Sequence, residues 1–134
     1  MTVTSEDVYA LAPYAETLGV RFQRLAADGV EAELDCVHAL STVGGGLHGG
    51  ALMGLADVSA AVCAALNGPE NAVPATMQSS TNFLRPLHGR IASAVAQPLH
   101  AGRTTVTVEV NISDDEGRLC VRVVQTIAVR AARG

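Results

Sequence analysis

Alternation of apolar and polar residues is clearest toward the C-terminal end of the chain. Val106, Val108, Val110 and Ile112 alternate with Thr105, Thr107, Glu109 and Asn111, the period of two that marks a strand with one buried face. Asp114-Asp115-Glu116-Gly117 supplies a turn and residues 119–129 alternate again, which predicts a hairpin. Residues 72–84 and 90–99 read as shorter strands, separated at Pro86-Leu87-His88-Gly89. Near the other end, 29–37 reads as a strand paired with 19–25. Residues 5–17 read as a short helix, with Ser5 as its cap and Glu6-Asp7 in its first turn.

Between Leu47 and Leu66 the pattern changes. The run LHGGALMGLADVSAAVCAAL is apolar on every side and about as long as a membrane span. Asp57 at its middle argues against a membrane, where a carboxylate costs about 2.5–3.5 kcal/mol on insertion scales. His48 and the glycines weaken that reading further. A helix apolar all round in a small soluble protein is a buried central helix. Gly49 and Gly50 lie at its start and Asn67-Gly68 supplies its stop. The order is helix, two strands, long helix, then three or four strands. Its simplest packing is an α+β fold, an antiparallel sheet wrapped around one helix. With no internal repeat or low-complexity linker, residues 1–134 are expected to form a single domain.

Composition narrows the function. At 49% hydrophobic and 16% charged residues the chain can build a core, which excludes intrinsic disorder. A net charge of −4 lacks the basic footprint of a nucleic-acid binder, and two Phe, two Tyr and no Trp leave few platforms for base stacking. Cys36, Cys63 and Cys120 are odd in number and show no CxxC spacing, which fits a reducing compartment. His38, His48, His88 and His100 form no metal-binding array. The acidic N-terminus, broken by Pro13, does not resemble a signal peptide. The expectation is a cytoplasmic protein without metal or cofactor and without nucleic-acid or membrane partners.

The chemistry gathers on the long helix. A carboxylate amid apolar residues is costly unless paired, hydrated or used, and Asp57 has no neutralising neighbour in sequence. It is either catalytic or a buried structural acid bonded to backbone or water. Gly44-Gly45-Gly46 and Gly49-Gly50 bracket His48, so a ligand can approach the backbone closely. Free N–H donors at a helix start, with the macrodipole behind them, stabilise an oxyanion. The plainer alternative is a tight loop entering a helix. Gly49 and Asp57 lie eight residues apart, about 12 Å along the helix axis. They cannot both touch one reacting carbonyl within a subunit. Two antiparallel copies of the helix bring Gly49 of one beside Asp57 of the other, so joint catalysis requires at least a two-fold dimer. Such a dimer also pairs exposed strand edges.

His48-Gly49-Gly50 followed by Leu55-Ala56-Asp57 resembles the HGG…LAD signature of hotdog-fold acyl-CoA thioesterases. Asn82-Phe83-Leu84-Arg85-Pro86 is similar to that superfamily's NFLRP strand end. His100-Ala101-Gly102-Arg103-Thr104-Thr105 and Asp115-Glu116-Gly117-Arg118-Leu119-Cys120 resemble the 4-hydroxybenzoyl-CoA thioesterases with a helix-borne acid, near relatives of the phenylacetate-degradation enzymes. The resemblance spans about residues 15–133. It implies a hotdog fold and hydrolysis of an aryl- or medium-chain acyl-CoA, with coenzyme A as part of the substrate. It implies a homodimeric active site, with a homotetramer by analogy. Asp57 becomes nucleophile or general base, and the Gly49 N–H polarises the thioester carbonyl beside Gly50. His48 shapes the loop near the carbonyl, and Thr76 orients the attacking water. Arg85, Arg103, Thr104 and Arg133 fall at positions associated with coenzyme A's phosphates and pantetheine arm, a task that suits guanidinium groups. Two positions depart from the pattern. Thr42 stands where the family usually has Asn or Gln to hold the carbonyl or water, and Ala61 where the 4-hydroxybenzoyl type has Thr. The alternatives are a non-catalytic acyl-CoA-binding protein on the same scaffold and, further off, an enoyl-CoA hydratase or dehydratase.

Overall fold

The computed structural model describes residues 2–131. Ten elements follow one another: α1 (Ser5–Leu11), α2 (Pro13–Leu18), β1 (Arg21–Ala26), β2 (Gly29–Asp35), a short 3₁₀ turn (His38–Leu40), α3 (Gly49–Leu66), β3 (Ala72–Phe83), β4 (Ile91–Ala101), β5 (Thr105–Ser113) and β6 (Leu119–Ala131). The strands form one antiparallel sheet in the order β1-β2-β4-β5-β6-β3. The expected hairpin at the C-terminal end is β5–β6. Its turn is held by Asp114, whose carboxylate accepts from the backbone N–H of Glu116 and Arg118 and from the Arg118 guanidinium. Asp115 clamps the start of β4 by accepting from the N–H groups of Arg90 and Ile91. Much of the 115–120 motif therefore serves the architecture.

The helix packs on one face of the sheet because alternation supplies an apolar surface there. Val30, Ala32 and Leu34 of β2, Ala92, Ala94 and Ala96 of β4, Val106, Val108, Val110 and Ile112 of β5 are all buried. So are Val121, Val123, Ile127 and Val129 of β6. Three alanines on β4 let the helix approach closely. Leu52, Leu55, Ala56, Ala60, Cys63 and Ala64 of α3 fill the other half of the core. Each large aliphatic chain in that layer contributes about 1.5–3 kcal/mol by burial.

Two expectations need correcting. Residues 5–17 form two helices rather than one. Thr4, not Ser5, caps α1 in a capping box with Asp7. The break falls at Ala12, because Pro13 has no N–H for a continuing helix and instead opens α2 as its first residue. The second correction concerns α3, which is not buried all round. Met53 is 42% exposed and Asp57 is exposed. The uncovered stripe faces the flank where β3 ends the sheet. Among the described residues β3 pairs only with β6, and none of its own residues is buried. Pro74 sits in this edge strand, the position where a missing N–H is tolerated.

Candidate active site

The loop entering α3 is built by glycine and closed by backbone bonds. Gly44 and Gly45 adopt φ of 89° and 88°, the left-handed region that other residues avoid. Thr42 N–H donates to the Gly46 carbonyl and the Thr42 carbonyl accepts from Gly45, each at 2.9 Å. Thr42 thus fixes the loop through its main chain. The chain then docks through Leu47 N–H on the Leu87 carbonyl and His48 N–H on the Leu40 carbonyl.

His48 is the N-cap of α3. Its Nδ1 accepts from the Gly50 N–H at 2.8 Å, so in the neutral ring the proton resides on Nε2, leaving an outward donor on an exposed side chain. Ala51 and Leu52 donate to the His48 carbonyl. The Gly49 N–H is thereby singled out, with no partner among the described residues. The absence of a side chain at Gly49 matters too. A Cβ there would stand 3.3 Å from Phe83 Cζ, so the end of β3 closes against the helix start.

Asp57 sits two turns further along α3. Its Oδ1 accepts from Thr76 Oγ1 at 2.8 Å. Thr76 reaches it beside a β-bulge. The β3–β6 register shifts between Thr76 and Gln78, leaving Met77 unpaired, a device common next to active sites. Asp57 is thus solvent-exposed and oriented by Thr76, which sets aside the alternative of a buried structural acid. One further polar pair lies on the same sheet face. Gln125 is 2% exposed and donates to Ser79 Oγ at 3.1 Å, while its Oε1 has no partner among the described residues.

Among the described residues, the candidate arginines do not converge. Arg85 lies just beyond β3, its N–H donating to the Cys120 carbonyl. Arg103 and Thr104 form the β4–β5 turn, and the Thr104 carbonyl accepts from Val129, which pairs with Pro74 near the start of β3. Along that strand the two ends are about 35 Å apart. All three residues are exposed. Arg133 lies outside the described residues. Sequence reasoning passed over Phe83 as a contact of Gly49, although it lies within the NFLRP motif, and nothing in the pattern signals Gln125.

One long helix lying against a six-stranded antiparallel sheet is the hotdog fold. Residues 44–121 match the thioesterase superfamily, and this chain belongs to that family. It is similar to the proofreading thioesterase EntH of Cronobacter turicensis, 28% identical over 120 residues that cover 90% of this chain and 88% of that protein. Among solved structures, thioesterase HI1161 of Haemophilus influenzae superposes with a TM-score of 0.88 at 26% identity, covering 98% of this chain and 93% of that one. A variant of thioesterase PA1618 of Pseudomonas aeruginosa gives 0.86 at 26% identity, covering 96% and 95%. The protein is an enzyme of the thioester hydrolase class.

Proposed function

We propose that this enzyme hydrolyses an acyl-CoA with an aryl or medium-chain acyl group, in a site completed across a two-fold dimer. The observation that carries this reading is that one chain holds two separated, incomplete halves of a site. Asp57, oriented by Thr76, is open to solvent at one point of α3, and the unpartnered Gly49 N–H lies about 12 Å away along the axis. A thioester carbonyl bonded to that N–H is out of reach of the same chain's carboxylate. Joining two β3 edges antiparallel reverses one α3 against the other and brings Asp57 of the partner subunit to the carbonyl. The same operation brings Arg85 toward Arg103 and Thr104 of the partner subunit, so that one coenzyme A spans both chains. Exposed Met53, Met77 and Phe83 on this flank support its being covered. Association of two such dimers as a homotetramer belongs to the same proposal.

In the reaction the Gly49 N–H stabilises the oxyanion as the carbonyl carbon becomes tetrahedral. Asp57 either takes a proton from the attacking water or adds to the carbon itself, forming an anhydride that water opens. Either way the C–S bond breaks and its electron pair leaves on sulfur. The leaving thiol resembles cysteine, with a pKa of about 8.5, so no strong general acid is required. His48 contributes the loop geometry, and Thr76 holds the carboxylate while water approaches. Thr42 leaves the place of the family amide without a carboxamide, which puts more of the carbonyl's stabilisation on the backbone N–H.

Free-thiol release from a panel of aryl- and alkyl-CoA thioesters, comparing wild type with Asp57→Asn, tests the reading. A fall of at least about a hundredfold in kcat with acyl-CoA binding retained is expected, the scale of a lost general base. Equal rates would remove Asp57 from the mechanism. Binding of acyl-CoA by the wild type without thiol release from any member of the panel would favour the binding-protein reading instead.

A further inference from the structure

We propose that the cavity between α2 and the first turn of α3 receives the acyl group, and that Tyr14 sets the length and shape it accepts. The inference rests on the acyl-CoA reading and extends it to substrate selection. The cavity measures about 250 Å³ and is bounded by Tyr14, Leu18, Leu40, His48, Gly50 and Ala51. It therefore opens beside the residues flanking the free Gly49 N–H. A carbonyl held there has its acyl substituent at the cavity mouth. The volume lies below the roughly 300–1,000 Å³ of pockets that hold drug-sized ligands, which suits an acyl group and not the whole of coenzyme A.

The lining defines the chemistry of the guest. Among the described residues no Asp, Glu or Arg borders the cavity, so no carboxylate or guanidinium there pairs with a charged acyl terminus, and His48 stands at the end beside Gly50. The Ser41 hydroxyl at its edge is already engaged, donating to the His38 carbonyl at 2.7 Å. The substrate class is thus a mainly apolar acyl group, held against Leu18, Ala39, Leu40 and Ala51.

Tyr14 forms the outer wall. It is 56% exposed, an unusual place for one of only four aromatic residues in the chain. Its hydroxyl end rests on α3 where Gly54 has no side chain. A Cβ at residue 54 would stand 2.8 Å from Tyr14 Oη and 3.0 Å from Leu18 Cδ2. Glycine inside a helix costs about 1 kcal/mol relative to alanine, and here its missing side chain leaves the seat on which Leu18 of α2 and the Tyr14 hydroxyl rest. The wall is held in place by backbone geometry, while its outer face is free of the core. Trimming it lengthens the cavity without opening the core.

The test is kcat/KM for straight-chain acyl-CoAs from acetyl to dodecanoyl, together with glutaryl-CoA, on the full chain. Wild type is compared with Tyr14→Ala, which removes the wall, and with Ala39→Leu, which adds bulk at an exposed lining position. Binding of hydrolysis-resistant thioether analogues is measured in parallel. Tyr14→Ala should raise kcat/KM about tenfold for chains about two methylenes longer than the wild-type optimum. Ala39→Leu should move the optimum to shorter chains. Acetyl-CoA should change less than about twofold in both, and glutaryl-CoA should be a poor substrate for wild type. Superimposable chain-length profiles in an active enzyme would overturn this assignment and leave the acyl-CoA reading standing. If wild type neither hydrolyses nor binds any member of the panel, the acyl-CoA reading falls and this inference with it. If Tyr14→Ala fails to fold, Ala39→Leu decides the matter.

Discussion

Replacing Gly49 with proline deletes one N–H from the first turn of α3 and disturbs little else. Gly49 is the first helical residue, where proline's fixed φ is already appropriate. His48 before it has φ −62° and ψ 138°, the extended geometry that a following proline demands. The new ring meets Phe83, whose Cζ lies 3.3 Å from the added Cβ and whose side chain is exposed enough to give way. No intrachain hydrogen bond is lost among the described residues. Melting within a few degrees of wild type is therefore expected. Loss of one donor to a developing oxyanion costs about 2.7–4 kcal/mol, which is about 10²–10³ in kcat. The assay is thiol release against acyl-CoA concentration, resolving kcat from KM. A fall smaller than about tenfold in a folded protein refutes the role given to this N–H. Co-refolding equal amounts of Gly49→Pro and Asp57→Asn chains then tests the two-fold site. Half of the dimers are hybrids, and each hybrid joins one native Gly49 to one native Asp57, so about one quarter of wild-type activity should return. No recovery from a properly mixed dimer population refutes catalysis across subunits.

Three further outcomes follow from the same geometry. Thr76→Val removes the 2.8 Å bond to Asp57; at about 0.5–1.5 kcal/mol for a net hydrogen bond, kcat should fall about two- to tenfold with KM unchanged. A hundredfold loss would mean that Thr76 itself touches the reacting atoms. Gln125→Met gives up the bond to Ser79 but also removes the buried, unpartnered Oε1, and urea unfolding should show a gain of about 1 kcal/mol. A clear loss would mean that the amide oxygen finds a partner in the assembled enzyme. For Asp114, burial pushes the carboxyl up, but hydrogen bonds from Arg118 and Glu116 outweigh it and hold it below the usual carboxylate range. A lowered folded value means the stabilisation is complete above the unfolded pKa of about 3.9 and is lost as pH falls through the folded value. Asp114→Asn should therefore be less stable at neutral pH and flatter in its acid unfolding limb, read by denaturation at a series of pH values.

The sheet was legible in the sequence wherever one face is apolar and the other is not. β5 and β6 alternate so cleanly because every second residue meets α3. β3 was placed but its character was not. A strand that covers no core within its own chain has no reason to alternate, and Ala72–Phe83 reads as a mixed run for that reason. The same blindness affected α3. Apolar residues look alike whether they face the sheet of their own chain or an uncovered flank, so composition buried Asp57 where the fold exposes it. His48, Gly49 and Asp57 were recoverable because a single helix carries all three. The contact of Asp57 with Thr76, the closure of Phe83 on Gly49 and the seat of Tyr14 on Gly54 join segments 19 to 40 residues apart. No local period encodes such contacts.

The proposal of a second subunit rests on lengths rather than on side-chain detail. A helix advances about 1.5 Å per residue, so eight residues separate donor and acid by more than a carbonyl can bridge, whatever rotamers they adopt. A strand advances about 3.3 Å per residue, so β3 separates Arg85 from the Arg103 turn by about three times that distance. Two unrelated separations, one along the helix and one along the strand, would be closed by the same two-fold axis beside β3. Surface patches that merely avoid solvent need not satisfy both conditions at once. If the axis lies there, each acyl-CoA is held by both chains. Binding of coenzyme A and formation of the catalytic pair then become a single event, and a folded monomer retains Asp57, Thr76 and the free N–H without a place where they act together.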